Sequence, residues 1–132
     1  MLRPVRRLTA ALLGLLAAAS GCGGGASDTE KVQGVVEAFG RATAAKDYQG
    51  LCDRVLAPKL VEEVERVGLP CEVALRQGLG EVEAPRLTIG KVTINGDNAT
   101  AEVLTSAAGE QPSRDVLELI RFGDGWRVAS LN

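Results

Sequence analysis

The chain has 132 residues and not one histidine. That absence removes Ser-His-Asp and Cys-His nucleophile pairs, and it removes histidine-containing zinc sites. The side chains left that could move a proton or fix a polar ligand are Tyr48, Asp53, Glu102, Glu118 and Arg121. A carboxylate enclosed among apolar groups has its pKa raised and can serve as a general base. Glu102, however, stands between Ala101 and Val103, and Glu118 between Leu117 and Leu119, so each reads first as the solvent side of a strand. Tyr48 reads first as a core-edge residue, and no ordered catalytic pair can be named. No metal and no cofactor is expected. Glu62, Glu63 and Glu65 read as a solvated helix face before a calcium site, and Asn98-Ala99-Thr100 as turn chemistry before a glycosylation acceptor.

Positioning any of these groups needs a packed domain, and 45% hydrophobic residues are enough for one small core. Ser27-Asp28-Thr29-Glu30 has capping-box form, and Val32, Val35, Val36 and Phe39 follow at helical spacing, giving a helix over about 28–45. Asp47 caps a second helix with Tyr48, Leu51, Cys52 and Val55 on one side, interrupted at Ala57-Pro58. Pro58 opens a third, with Leu60, Val61, Val64 and Val67 inward and Gly68 at its end; Pro70 starts a fourth, closed by Gly78 and Gly80. From Pro85 the period becomes two. Leu87 and Ile89 share one phase while Val92 and Ile94 share the other, which predicts a bulge at Gly90-Lys91. Asn95-Gly96-Asp97-Asn98 is a hairpin turn, Ala99–Thr105 the returning strand, Arg114–Phe122 a third strand and Trp126–Leu131 a fourth. The fold class is therefore α+β: N-terminal helices packed on a curved four-stranded antiparallel sheet.

The first residues carry a different message. Met1–Arg7 holds three arginines, Leu8–Ala19 is an uncharged apolar run, and small residues follow, which is the form of a cleaved signal peptide over 1–21. The run is too short for a permanent span of a ~30 Å hydrocarbon core. Leu8-Thr9-Ala10 behind Arg6-Arg7 fits ordinary secretion better than twin-arginine export. Ala19-Ser20-Gly21-Cys22 resembles the lipobox of bacterial lipoproteins, with alanine where that family prefers leucine. The resemblance implies cleavage before Cys22 and a diacylglyceryl thioether on it, a palmitate-type lipid anchor. Two acyl chains hold a protein stably on a bilayer where one alone is marginal. The alternative is plain cleavage after Ala19 with Cys22 a stray thiol. Residues 22–28 then form the lipidated cysteine and a Gly-rich tether, and 29–132 the domain. Removing Arg3, Arg6 and Arg7 leaves twelve basic against seventeen acidic residues, a balance of −5, and nucleic acid is not an expected partner.

With Cys22 assigned to lipid, Cys52 and Cys71 remain as a pair in an oxidising compartment, where a structural disulfide is expected. A redox-active or metal-binding thiol pair is the alternative, unsupported by any Cys-x-x-Cys spacing. Ala44-Ala45-Lys46-Asp47-Tyr48, Leu87-x-Ile89-x-x-Val92, Asn98-Ala99-Thr100-Ala101-x-Val103 and Trp126-Arg127-Val128 together resemble the nuclear transport factor 2-like (SnoaL-like, cystatin-like cone) superfamily, in particular its small actinobacterial lipoproteins. The resemblance implies a sheet wrapped around helices with a pocket between them, and puts Phe39, Tyr48, Trp126, Glu102, Glu118 and Arg121 forward as pocket-lining residues. The family holds isomerases, dehydratases and ligand binders, so fold does not choose among them. Three functions are expected in this order. The first is a non-catalytic module on the outer face of the cytoplasmic membrane, binding a small apolar ligand or an envelope protein. The second is a structural or interaction subunit, for instance a homodimer through the sheet. The third is a lyase or isomerase using a buried carboxylate.

Overall fold

The computed structural model describes residues 26–131, and the expected leader, Cys22 and Gly23–Gly25 lie outside them. Helix α1 runs Asp28–Ala44, and the Ser27 hydroxyl accepts from the Glu30 backbone N–H at 3.2 Å, the first half of a capping box. Val32 and Val36 are fully enclosed, and Val35 and Phe39 pack beside them. Asp47 then caps α2 (Tyr48–Gly50), its Oδ1 accepting from the Gly50 N–H at 3.0 Å.

The second helix does not simply continue to Pro58. Leu51–Val55 winds as a π-helical turn, closed by the Leu56 N–H to the Leu51 carbonyl at 2.9 Å. Beyond it the backbone is extended: Leu56 bridges Val128, and the Ala57 N–H donates to the Val128 carbonyl at 2.7 Å. The wide turn therefore delivers both Val55 and Leu56 into the core and docks the chain on the last strand.

Pro58 occupies the first turn of α3 (Pro58–Glu65), where its missing N–H costs nothing. The expected inward placing of Val67 is corrected: it is 71% exposed. The helix stops at Glu65 and Gly68 turns the chain at φ +86°, so helical spacing no longer carries Val67 toward the core. Helix α4 runs Cys71–Leu79, with Gly78 inside it and Gly80 as its C-cap. Cys52 and Cys71 are bridged, with Cα atoms 6.1 Å apart, joining the π turn to the first residue of α4.

Strands β1 (Arg86–Asn95), β2 (Asn98–Ser106), β3 (Ser113–Phe122) and β4 (Gly125–Leu131) form an antiparallel meander in the order β1-β2-β3-β4. The register shifts between Ile89 and Val92, where the sequence predicts a bulge, and this keeps Leu87, Ile89, Val92 and Ile94 all against the core. Gly96 (φ +62°) makes the two-residue turn between Asn95 and Asn98. A second irregularity, unannounced by any glycine, falls between Glu118 and Leu119, which pair with Ser130 and Val128. The face toward the helices carries Ala99, Ala101, Val103, Leu117, Leu119, Trp126 and Val128, all buried. Fully enclosing a leucine- or valine-sized side chain stabilises by about 1.5–3 kcal/mol, so this face is the main source of cohesion. Helix α1 lies close on β1: a Cβ added to Gly40 would stand 3.3 Å from the Leu87 Cβ.

Candidate functional site

Between the last turns of α1, the helices α3 and α4 and one end of the sheet is a cavity of about 310 Å³. That is the lower end of the range in which small-molecule pockets fall. Phe39, Gly40 and Thr43 of α1, Leu51 and Leu56 around the π turn, and Leu60 and Val64 of α3 form much of its wall. Leu75 and Leu79 of α4, Val82 and Pro85 in the connection to the sheet, and Leu87 of β1 complete it. Thr43 does not bring a free donor, because its hydroxyl bonds back to the Phe39 carbonyl at 2.8 Å. The wall is therefore an apolar surface whose one polar side chain, Thr43, is already bonded.

The polar groups collect at one rim, where β1 begins, β2 ends and the connection to β3 passes: Arg86, Thr105, Ser106, Glu110, Gln111 and Ser113. Behind them Asp115 Oδ2 accepts from the Thr105 hydroxyl at 2.7 Å and from the Ser113 hydroxyl at 2.9 Å. These bonds, Thr105 first and Ser113 second, hold the Asp115 pKa below the usual aspartate value, so it stays ionised. The two hydroxyls also stand 2.9 Å from each other, so Thr105, Ser113 and Asp115 form one small hydrogen-bonded cluster at the rim. Arg86 and Glu110 are exposed, and among the described residues neither takes part in an ion pair. A molecule seated here would bury an apolar body and keep a polar end among donors and acceptors at the rim.

Of the six residues expected around the pocket, Phe39 lines it. Tyr48 is buried in the core beside α4 and is absent from the cavity wall; its hydroxyl has no hydrogen-bond partner among the described residues. Trp126 is also core. Its Nε1–H donates to Asp28 Oδ1 at 3.2 Å, and the Arg121 guanidinium lies 4.6 Å from its ring centre. Arg121 itself is engaged by Asp28 and Asp97 at the opposite end of the sheet from the rim. Glu102 and Glu118 are exposed on the outer face, Glu102 in a shallow depression with Thr88, Leu104 and Arg114, and Glu118 taking a hydrogen bond from the Ser130 hydroxyl. The cause is alternation: Ala101, Val103, Leu117 and Leu119 take the inner phase of β2 and β3, so the glutamates between them must point out.

Asp53 is exposed at the π turn, and its backbone carbonyl accepts from the Arg127 guanidinium at 3.0 Å. Glu62, Glu63 and Glu65 are exposed. Among the described residues no three of the carboxylates and cysteines are grouped so as to hold a metal ion, and no helix is long and apolar enough to cross a membrane.

The rim residues Arg86, Glu110, Ser113 and Asp115 do not emerge from the sequence patterns. The one signal was the register itself, which sets Thr105 opposite Ser113 and so one step from Asp115.

No family profile matches the sequence, and no curated protein matches it. Among solved structures the chain is similar to that of an NTF-2-like protein of unknown function from Silicibacter pomeroyi DSS-3. The TM-score is 0.57 at 19% identity, over 78% of this chain and 91% of that one. A likeness at that identity speaks for architecture alone, and the architecture is clear: the helices and the four-stranded meander form a nuclear transport factor 2-like α+β fold.

Proposed function

We propose that this protein is a bacterial lipoprotein of the kind its lipobox resembles, tethered through Cys22 to the outer face of the cytoplasmic membrane. Its domain binds one small, mainly apolar molecule without transforming it. The observation that carries the binding reading is the cavity of about 310 Å³ with an apolar wall and one polar rim. The lyase or isomerase alternative needs a carboxylate inside that wall, and Glu102 and Glu118 stand on the other side of the sheet.

Native mass spectrometry of the exported protein, followed by extraction and identification of what travels with it, tests the binding. The paired variant Leu75→Trp fills the cavity from α4. A co-purifying molecule lost in Leu75→Trp, with the melting temperature kept, supports the proposal; an empty wild-type protein that also ignores apolar probes refutes it. Cys22→Ser tests the tether: it should leave the protein released or unprocessed, and normal processing with full membrane retention would rule the lipid anchor out.

A second reading has its own observation. Leu104 and Phe122 are 45% and 46% exposed, and Phe122 shares the outer phase of β3 with the partly covered Val116 and Ile120. Leu104 with Val116 and Phe122 with Ile120 make two apolar patches on this face, divided by Glu118, of the kind a second copy or an envelope protein would cover. This face and the cavity are on opposite sides of the sheet, so both uses are compatible.

A further inference from the structure

The inner face of β3 carries a charged residue at each end, with the buried Leu117 and Leu119 between them. At one end Arg121 is answered by Asp28 and Asp97. At the other, Asp115 is half-buried, and among the described residues it enters no ion pair. Its partners are the Thr105 and Ser113 hydroxyls, both on Oδ2, and among the described residues nothing is bonded to Oδ1. These bonds keep the carboxylate ionised, which makes it a poor proton acceptor and a lasting negative charge. The charge adjoins the cavity. Leu87, Thr105 and Ser113 form one row across β1, β2 and β3, and all three line it. A ligand atom that meets the two hydroxyls is therefore one hydrogen-bond length from Asp115.

We infer that the cavity's ligand is an apolar amine, protonated at neutral pH, whose ammonium supplies the cation that Asp115 lacks while its hydrocarbon body fills the wall. An ammonium carries three donors and no acceptor, which matches a carboxylate and two hydroxyl oxygens. A carboxylate end would instead meet a like charge. The other charged groups at this end do not reverse the sign. Arg86 and Glu110 are both exposed and opposite in charge, and Arg114 is on the outer face, opposite Leu104. Glu83 adds an anion beside the β2–β3 connection, where its carbonyl accepts from the Ala108 N–H at 2.9 Å. Two arginines thus stand against three carboxylates, and Asp115 is the one on the inner face. The inference deepens the proposed binding in the cavity and rests on it; it does not depend on the anchor.

The test uses the full exported chain with Cys22→Ser, made behind an ordinary secretion leader so that no bilayer competes for the probes. Octylamine, octan-1-ol and octanoate share one hydrocarbon chain and differ only in the polar end. Calorimetric titration at neutral pH should give the amine a several-fold tighter Kd than the alcohol, with octanoate the weakest. Raising the salt concentration should shrink the amine's advantage, because a charge pair at the rim is screened. Asp115→Asn, which keeps an acceptor but removes the charge, should bring the amine to the level of the alcohol. The salt series needs no variant, so it decides the matter even if Asp115→Asn does not fold. Equal binding of amine and alcohol, or a preference for octanoate that Arg86→Gln abolishes, overturns the inference while binding in the cavity stands. An amine preference that survives both salt and Asp115→Asn overturns the role of Asp115. Failure of all three probes to bind overturns the inference through the cavity itself.

Discussion

Arg121 holds Asp28 with both terminal nitrogens, Nη1 to Oδ1 at 3.1 Å and Nη2 to Oδ2 at 3.0 Å, across 93 positions of sequence. The paired geometry is the strong form of a carboxylate–guanidinium contact. It places a negative charge in the first turn of α1, where the helix dipole favours one. Trp126 adds a second donor to the same carboxylate, and the guanidinium covers the indole ring. One aspartate thus fixes where the first helix meets the last two strands.

Acid should loosen this join. The Arg121 hydrogen bond first, and the Trp126 bond second, hold the Asp28 pKa below its ordinary value. A lowered folded-state pKa means the contribution is present above the unfolded value of about 3.9, and is lost as pH falls through the folded one. Asp115 is shifted in the same direction and adds to the trend. Melting curves of the wild type and Asp28→Asn should differ by a few degrees at neutral pH, and the gap should close toward pH 2. A gap that widens in acid would show that this account has the sign wrong.

Removing the Cys52–Cys71 bridge should be the costliest single change outside the core. Closing a loop of this length stabilises by about 3 kcal/mol in the chain-entropy picture. For a domain of this size that is roughly 10–20 °C in melting temperature. The double variant Cys52→Ala/Cys71→Ala should melt lower by that amount and be indifferent to reductant, whereas the wild type should fall to its level when reduced.

Two glycines of α1 should respond in opposite directions. A Cβ at Gly34 meets nothing within 4 Å, so Gly34→Ala should stabilise by about 0.5–1 kcal/mol through helix propensity. Gly40 faces Leu87 at close range and lines the cavity. Gly40→Ile should destabilise by about 1–3 kcal/mol through overpacking, and should weaken uptake of an apolar probe. Denaturant titrations of the two variants, with probe binding on the second, check both signs.

The outer patches of β2 and β3 make a separate forecast. If a second copy covers them, sedimentation should give a dimer that Phe122→Lys with Leu104→Lys converts to a monomer without loss of the fold. A wild type that stays monomeric at high concentration would leave the patches to a different protein.

The fold could be read from the sequence wherever one residue type does one job. Ser27, Asp47 and Pro58 each stand at a helix start. The change of phase between Ile89 and Val92 gave away the bulge, because an apolar face can be kept through a phase change only by an extra residue. The π turn at Leu51–Val55 left no such mark: its residues suit an ordinary helix, and the extra residue is demanded by the docking of Leu56 on Val128. The site was less legible than the fold. Alternation assigns Glu102 and Glu118 to a face only once it is known which phase of β2 and β3 is inner. It says nothing about which end of the sheet stays open, and that is settled by the connections around Val82–Pro85 and Ala107–Gln111, which carry no periodic pattern.

The bridge also encloses a segment. All of α3, which has no fully buried residue yet supplies Leu60 and Val64 to the cavity wall, lies within the ring closed by Cys52 and Cys71. A protease that nicks the backbone anywhere inside that ring leaves two fragments still covalently joined, so the damaged molecule keeps its full mass on a non-reducing gel and separates into two bands only after reduction.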